Sequence, residues 1–330
     1  MKKWAGLAAI VLILLLICGF AYVRLGGAFG RARVAVEPPV SLTVFYTCDT
    51  RGHINPCNCE AGVAGGLARR TTFINKRRTP LSILVDAGDV TSGPREWELL
   101  ELDYLLKGYG ILKYDAVNVG AREASISHAE LKKLAASYPY VVSANVVDTS
   151  GSLVFPPYRI ADLPEGYRAG MLGVLDEKTP ADELGAGVRV TPMREAIARH
   201  LPALKKQVDF VVLLAFTDEA TMQALAEEYF EIDVIVGGNV EQPSGTPLDV
   251  NRSTIAYITD KGKSVGELEL SFVGGQKVVT KNEVTMLMED VPDDSEIVTL
   301  VKELRAKQVE RNFPTEKDDE EGLSTIAPAA

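Results

Sequence analysis

Ser41-Leu42-Thr43-Val44-Phe45-Tyr46-Thr47, followed at once by Cys48-Asp49-Thr50-Arg51-Gly52-His53, is the stretch on which the fold reading turns. Six of the first seven residues are apolar, aromatic or β-branched, and the run reads as a strand. The abrupt change to acid, base, glycine and imidazole reads as a loop loaded with functional groups. Three later segments repeat the pattern. Asp86-Ala87-Gly88-Asp89 follows the apolar run 81–85, Gly120-Ala121-Arg122-Glu123 follows 116–119, and Gly237-Gly238-Asn239-Val240-Glu241 follows 234–236. In an α/β sheet, functional groups gather just past the carboxyl ends of strands. Each segment alone is ordinary turn chemistry, so the weight lies in their order.

Working outward, the periodicity predicts helices over 68–76, 97–109, 128–137, 193–207 and 219–229. Strands are expected at 141–145, 168–175, 210–214 and 254–259. Amphipathic helices alternating with short apolar strands predict an α/β domain. The runs 265–272 and 277–287 alternate as antiparallel strands do. A helix over 295–310 and a charged, structureless tail close the chain.

The 330 residues are 46% hydrophobic, enough for a substantial core, and carry a net charge of −10. That charge excludes a general nucleic-acid binder, which needs a basic face. With only His53, His128 and His200 present, any site built from four imidazoles is excluded; the latter two are expected to be structural. Residues 5–23 form an uncharged apolar run of nineteen, long enough to cross a bilayer core of about 30 Å. The expected organisation is a membrane anchor or signal over 1–25 and a Gly/Arg/Pro-rich linker over 26–40. A domain over 41–290, on the extracytoplasmic (periplasmic) side, precedes a helix and acidic tail over 291–330.

The ordered segments resemble the 5′-nucleotidase family of the calcineurin-like metallophosphoesterases. The resemblance runs from Asp49-Thr50-Arg51-Gly52 through Gly65-Gly66-Leu67-Ala68-Arg69, Asp86-Ala87-Gly88-Asp89, Tyr114-Asp115-Ala116 and Gly120-Ala121-Arg122-Glu123. It continues through Ser143-Ala144-Asn145, Leu214-Ala215-Phe216 and Gly238-Asn239-Val240-Glu241 to Gly262-Lys263 and Gly266. It implies the family's four-layer α/β/β/α sandwich and a dimetal site bridged by the residue at Asp89, with Asp49 as a further ligand. Against the family pattern Arg51 replaces a histidine, Ala121 an asparagine and Phe216 a histidine. Asn239 and Glu241 replace the last two histidines, and Arg122 stands where a histidine assists the leaving group.

Two readings follow. A reduced set of Asp49, Asp89, Asn239 and Glu241 could hold a single divalent ion, such as Mn, Mg, Ca or Zn, and support phosphoester hydrolysis. Alternatively Arg51 and Arg122 pair with Asp49 and Asp89, because a guanidinium cannot ligate a metal. Such a pocket could still hold an oxyanion or a phosphate-containing small molecule. The loop Cys48, His53, Cys57 and Cys59 has no counterpart in the family pattern. It is open to a disulfide from Cys48 to Cys57 or Cys59, to a strained, redox-active Cys57–Cys59 bond, or to a zinc site. Its Pro-Cys-x-Cys pattern is similar to that of membrane-associated bacterial 5′-nucleotidase-like proteins, some of them selenoproteins.

Overall fold

β1 (Ser41–Thr47) runs through the middle of a six-stranded sheet. It pairs in parallel with β4 (Ser82–Asp86) and antiparallel with β15 (Ser264–Val273). β5 (Ala116–Asn118) and β6 (Val141–Val142) extend the parallel side, and β16 (Gln276–Met286) forms the opposite edge. The coordinates are a computed structural model that describes residues 37–39, 41–59, 62–273 and 276–315.

A second six-stranded sheet is ordered β13 (Leu248–Val250), β14 (Ser253–Tyr257), β12 (Val234–Gly238), β11 (Phe210–Phe216), β9 (Arg168–Leu175), β8 (Tyr158–Asp162). Its four inner strands are parallel and its two edge strands antiparallel. The fully buried β11 shows how the layers are built, because successive side chains leave opposite faces of a strand. Phe210, Val212, Leu214 and Phe216 enter a core shared with β1 and β4. Val211, Leu213 and Ala215 enter a second core with helices Met193–Lys205 and Glu219–Glu228. The first core also takes in helices Leu67–Arg77, Glu96–Leu112 and Ser295–Glu310, which pack on one another. The last of these starts where Asp294 Oδ1 accepts from the amides of Glu296 and Ile297 at 3.0 and 3.1 Å, an N-cap that satisfies otherwise orphaned donors.

Of the strand expected at 141–145 only β6 forms; residues 143–145 break from it and β7 (Val146–Asp148) follows. The break carries the chain from one sheet to the other: Ala144 N bonds Gly173 O of β9 at 2.8 Å, and the Asn145 amide bridges Leu175 and Thr191. β7 then pairs with β10 (Val188–Val190). A further antiparallel ribbon, β2 (Cys57–Cys59) with β3 (Gly62–Ala64), grows from the cysteine loop. Among the described residues no helix is long and apolar enough to cross a membrane. The apolar run 5–23, most of the linker and the acidic tail from 316 lie outside the described residues.

Candidate functional site

The carboxyl ends of β4, β9, β11 and β12 and the segment after β5 meet at a cleft of about 660 Å³. Asp89, Arg51, Arg122, Ala121, Phe216 and Asn239 line it, together with Asp176, Lys178 and Asp218. Six positions that the sequence marked are therefore brought together.

The turns at these strand ends are zipped by backbone. Asp49 N donates to Gly88 O at 2.8 Å, Arg51 N to Asp89 O at 2.9 Å and Gly52 N to Val90 O at 2.8 Å. Asp49, Arg51, Asp89 and Asn239 all take left-handed φ values, 60°, 48°, 57° and 62°, which non-glycine residues adopt only when their surroundings impose them. The approach at Gly120 is close: a Cβ there would stand 2.3 Å from both Asp89 N and Asp89 Oδ1.

Arg51 and Arg122 both reach this floor. Arg51 Nε donates to Asp49 Oδ1, and Thr259 Oγ1 donates to Asp49 Oδ2 at 2.5 Å. Arg122 donates its backbone N–H to Asp89 Oδ1 at 2.9 Å, and its Nε stands 3.5 Å from Asp89 Oδ2. Its Nη1 donates to Ser92 O at 2.8 Å. Both guanidinium side chains keep more than a third of their surface, whereas both carboxylates are almost covered. The expected cation–carboxylate pairs are thus present.

Glu123 is the structural residue that sequence reasoning quoted but gave no role. Its carboxylate accepts three backbone N–H bonds, from Asp89 and Gly120 at 2.9 and 2.8 Å and from Thr91 at 2.8 Å. It thereby joins two site turns. The signal was available, because Glu three residues into a helix is the capping-box position. Burial raises the Asp89 pKa well above the ordinary carboxylate value, and the neighbouring Glu123 charge pushes it further the same way. Thr259 and the Asp176–Lys178–Asp218 wall carried no sequence signal.

Glu241 is exposed and does not line the cleft, so it does not join Asp89 and Asn239 as the single-ion reading requires. Among the described residues no group of three or more His, Cys, Asp or Glu side chains could hold a metal ion.

The cysteine loop is also divided. Cys48 and Cys57 are free thiols, so none of the disulfides open to them, Cys48 with Cys57 or Cys59 or Cys57 with Cys59, is formed. Cys48 turns inward between the sheets: its Sγ donates to Gly88 O at 3.2 Å, and a Cβ on Gly238 would lie 2.1 Å from that sulfur. Burial first, then the charges of Asp86, Asp49, Asp89 and Glu123, raise its pKa well above the free-thiol value. Such a thiol is inert. Cys57 is half-buried on β2, His53 is half-buried in the loop, and the Cys59 side chain lies outside the described residues. The four-ligand zinc reading therefore loses Cys48.

No family model matches the chain. By sequence it is similar to the 5′-nucleotidase of Vibrio cholerae, 26% identical over 279 residues that cover 71% of this chain and 49% of that protein. The chain thus spans about half the length of that relative. It superposes on the 5′-nucleotidase precursor of Thermus thermophilus with a TM-score of 0.69 at 23% identity, over 82% of this chain and 59% of the other. The calcineurin-like phosphoesterase YfkN of Bacillus subtilis gives 0.67 at 22% identity, over 83% and 99%. At such identities these likenesses speak for the mixed α/β fold. The sequence relatives and the structural neighbours alike carry the names of 5′-nucleotidases and calcineurin-like phosphoesterases, so in its strand-end motifs and its fold the chain is similar to that family.

Proposed function

We propose that this chain is a 5′-nucleotidase-like protein whose cleft binds an oxyanion-bearing small molecule through Arg51 and Arg122 and does not hydrolyse phosphoesters by dimetal chemistry. The observation that carries the reading is the pair of ion pairs, Arg51–Asp49 and Arg122–Asp89, at the cleft floor. Two divalent ions need several neutral or anionic donors. Here both carboxylates are engaged by guanidinium groups, and Ala121 and Phe216 offer no donor atom. The residues present do not fit a dimetal centre. They do fit an anion, since guanidinium groups match phosphate and carboxylate geometry. Pockets for organic ligands span about 300–1,000 Å³, and about 660 Å³ falls within that range.

The remaining parts of the proposal rest on sequence. The apolar run 5–23 tethers the domain to a membrane on its extracytoplasmic side. Cys57 and Cys59, just past the site turn, act as a thiol element without Cys48.

Titration calorimetry with inorganic phosphate, alongside phosphomonoester and nucleotide turnover with added Mn, Mg or Zn, tests the reading. Saturable phosphate binding that Arg51→Ala or Arg122→Ala weakens about tenfold, with no turnover, is the expected result. Metal-stimulated turnover would establish the hydrolase reading instead.

A further inference from the structure

Directly beneath the site turn lies a buried polar network that no contact with the cleft explains. Arg70 is 1% exposed in the middle of helix Leu67–Arg77. Its Nη1 donates to the hydroxyls of Tyr109 at 2.8 Å and Tyr114 at 3.3 Å. Its Nη2 donates to Thr50 Oγ1 at 3.1 Å and lies 3.5 Å from the accepting Gly262 O. The two tyrosine rings stack at 4.1 Å. The counter-charge is Asp86, reached through hydroxyls: Asp86 Oδ2 accepts from Tyr109 Oη at 3.1 Å and from Thr47 Oγ1 at 2.6 Å.

The hydrogen count fixes the role of Thr50. Thr50 Oγ1 and Tyr109 Oη are 2.9 Å apart, and either oxygen could donate by geometry alone. Tyr109 has one hydroxyl proton and gives it to Asp86, so the donor of this bond is Thr50. Thr50 Oγ1 then accepts from Arg70 and donates to Tyr109. This fully buried side chain is tied at both donor and acceptor.

Thr50 sits between Asp49 and Arg51, both in left-handed backbone. A turn of two such residues needs its neighbours to hold it. Resting on the anion-binding reading above, we infer that Thr50, clamped from below by Arg70 and Tyr109, is a positioning residue that holds Arg51 over Asp49 and at the cleft. It touches neither the cleft nor any ligand there. Arg70 itself is a poor probe, since removing it would strand Asp86 in the core. Thr50→Val keeps the shape and deletes the hydroxyl; Thr50→Ser keeps the hydroxyl.

Two readouts on the full chain separate this inference from the functional reading. The first is the Nε–Hε NMR resonance of Arg51, assigned by its loss in Arg51→Ala, with thermal unfolding as a control. Thr50→Val is expected to shift that resonance to the position of a free arginine and speed its solvent exchange, while Thr50→Ser leaves it in place. An unchanged Arg51 signal in a folded Thr50→Val protein overturns the inference, whatever phosphate does. The second is phosphate affinity. Thr50→Val should weaken it on the order of fivefold, Thr50→Ser should not, and Thr50→Val should add nothing in the Arg51→Ala background. Equal weakening in both backgrounds also overturns the inference. A wild-type protein that binds no phosphate overturns the functional reading alone, and the resonance then decides the positioning role.

Discussion

Replacing Arg122 by methionine tests how much of the Asp89 charge is supported by its guanidinium. The substitution keeps the apolar stem and deletes the cation 3.5 Å from Asp89 Oδ2. Two unit charges at that distance attract by about 5 kcal/mol at an effective dielectric of about 20. Arg122 is 39% exposed, so solvent screening reduces the net effect to about 1–2 kcal/mol. The sign follows from linkage. Burial, reinforced by Glu123, raises the Asp89 pKa in the native state, so above the ordinary carboxylate range the folded protein holds more protons than the unfolded one. Its stability therefore falls as pH rises through that window. Arg122 opposes this fall by favouring the ionised form. Below about pH 3, where the carboxyl is protonated in both states, Arg122→Met loses little beyond the bond to Ser92 O. Near pH 8 it should be about 1–2 kcal/mol less stable than wild type. Urea unfolding at both pH values, with m unchanged, measures the difference. A destabilisation of the same size at both would refute the electrostatic argument and leave only lost packing.

Alkylation of the native protein should spare Cys48 and modify it only after unfolding, read by mass spectrometry of its peptide; labelling of native Cys48 at the rate of an exposed thiol would contradict its burial. Gly120→Ala should cost several kcal/mol, because its Cβ would meet Asp89 N and Oδ1 at 2.3 Å, and thermal unfolding would show a full-strength protein if the turn can relax. Leu304→Ala, at a 2% exposed position of the last helix, should destabilise by about 2–5 kcal/mol. A neutral effect in urea would mean that the helix is not docked on the domain.

Much of this architecture could be read without coordinates. The strands Ser41–Thr47 and Arg168–Leu175 and the helices His128–Ser137 and Ser295–Glu310 fall where periodicity and caps put them. Local chemistry decides such elements. The gathering of Asp89, Arg51, Arg122 and Asn239 was legible because strand ends in parallel sheets converge. What escaped depends on three-dimensional surroundings. Cys48 follows a strand and looks like part of the polar loop, yet its side chain turns inward against Gly238. Arg70, next to Arg69 on an amphipathic helix, reads as solvated until Tyr109, Tyr114 and Asp86 are seen around it. Glu241, in frame with a ligand position, turns out exposed, which its place in the sequence does not reveal. The ribbon of β2 and β3 has no periodicity to betray three-residue strands.

The backbone zipper between residues 49–52 and 88–90 has a consequence for how such a protein changes over time. Much of the outline of the cleft is set by amide and carbonyl groups, fastened by the Glu123 carboxylate and the Thr50 hydroxyl from behind. The partly exposed side chains of Arg51, Ala121 and Arg122 sit on that frame and contribute little to its shape. Exchanging them alters what the cavity recognises without collapsing it. A lineage can therefore drift from one chemistry to another through intermediates that all fold. The frame is durable, and its inhabitants are replaceable.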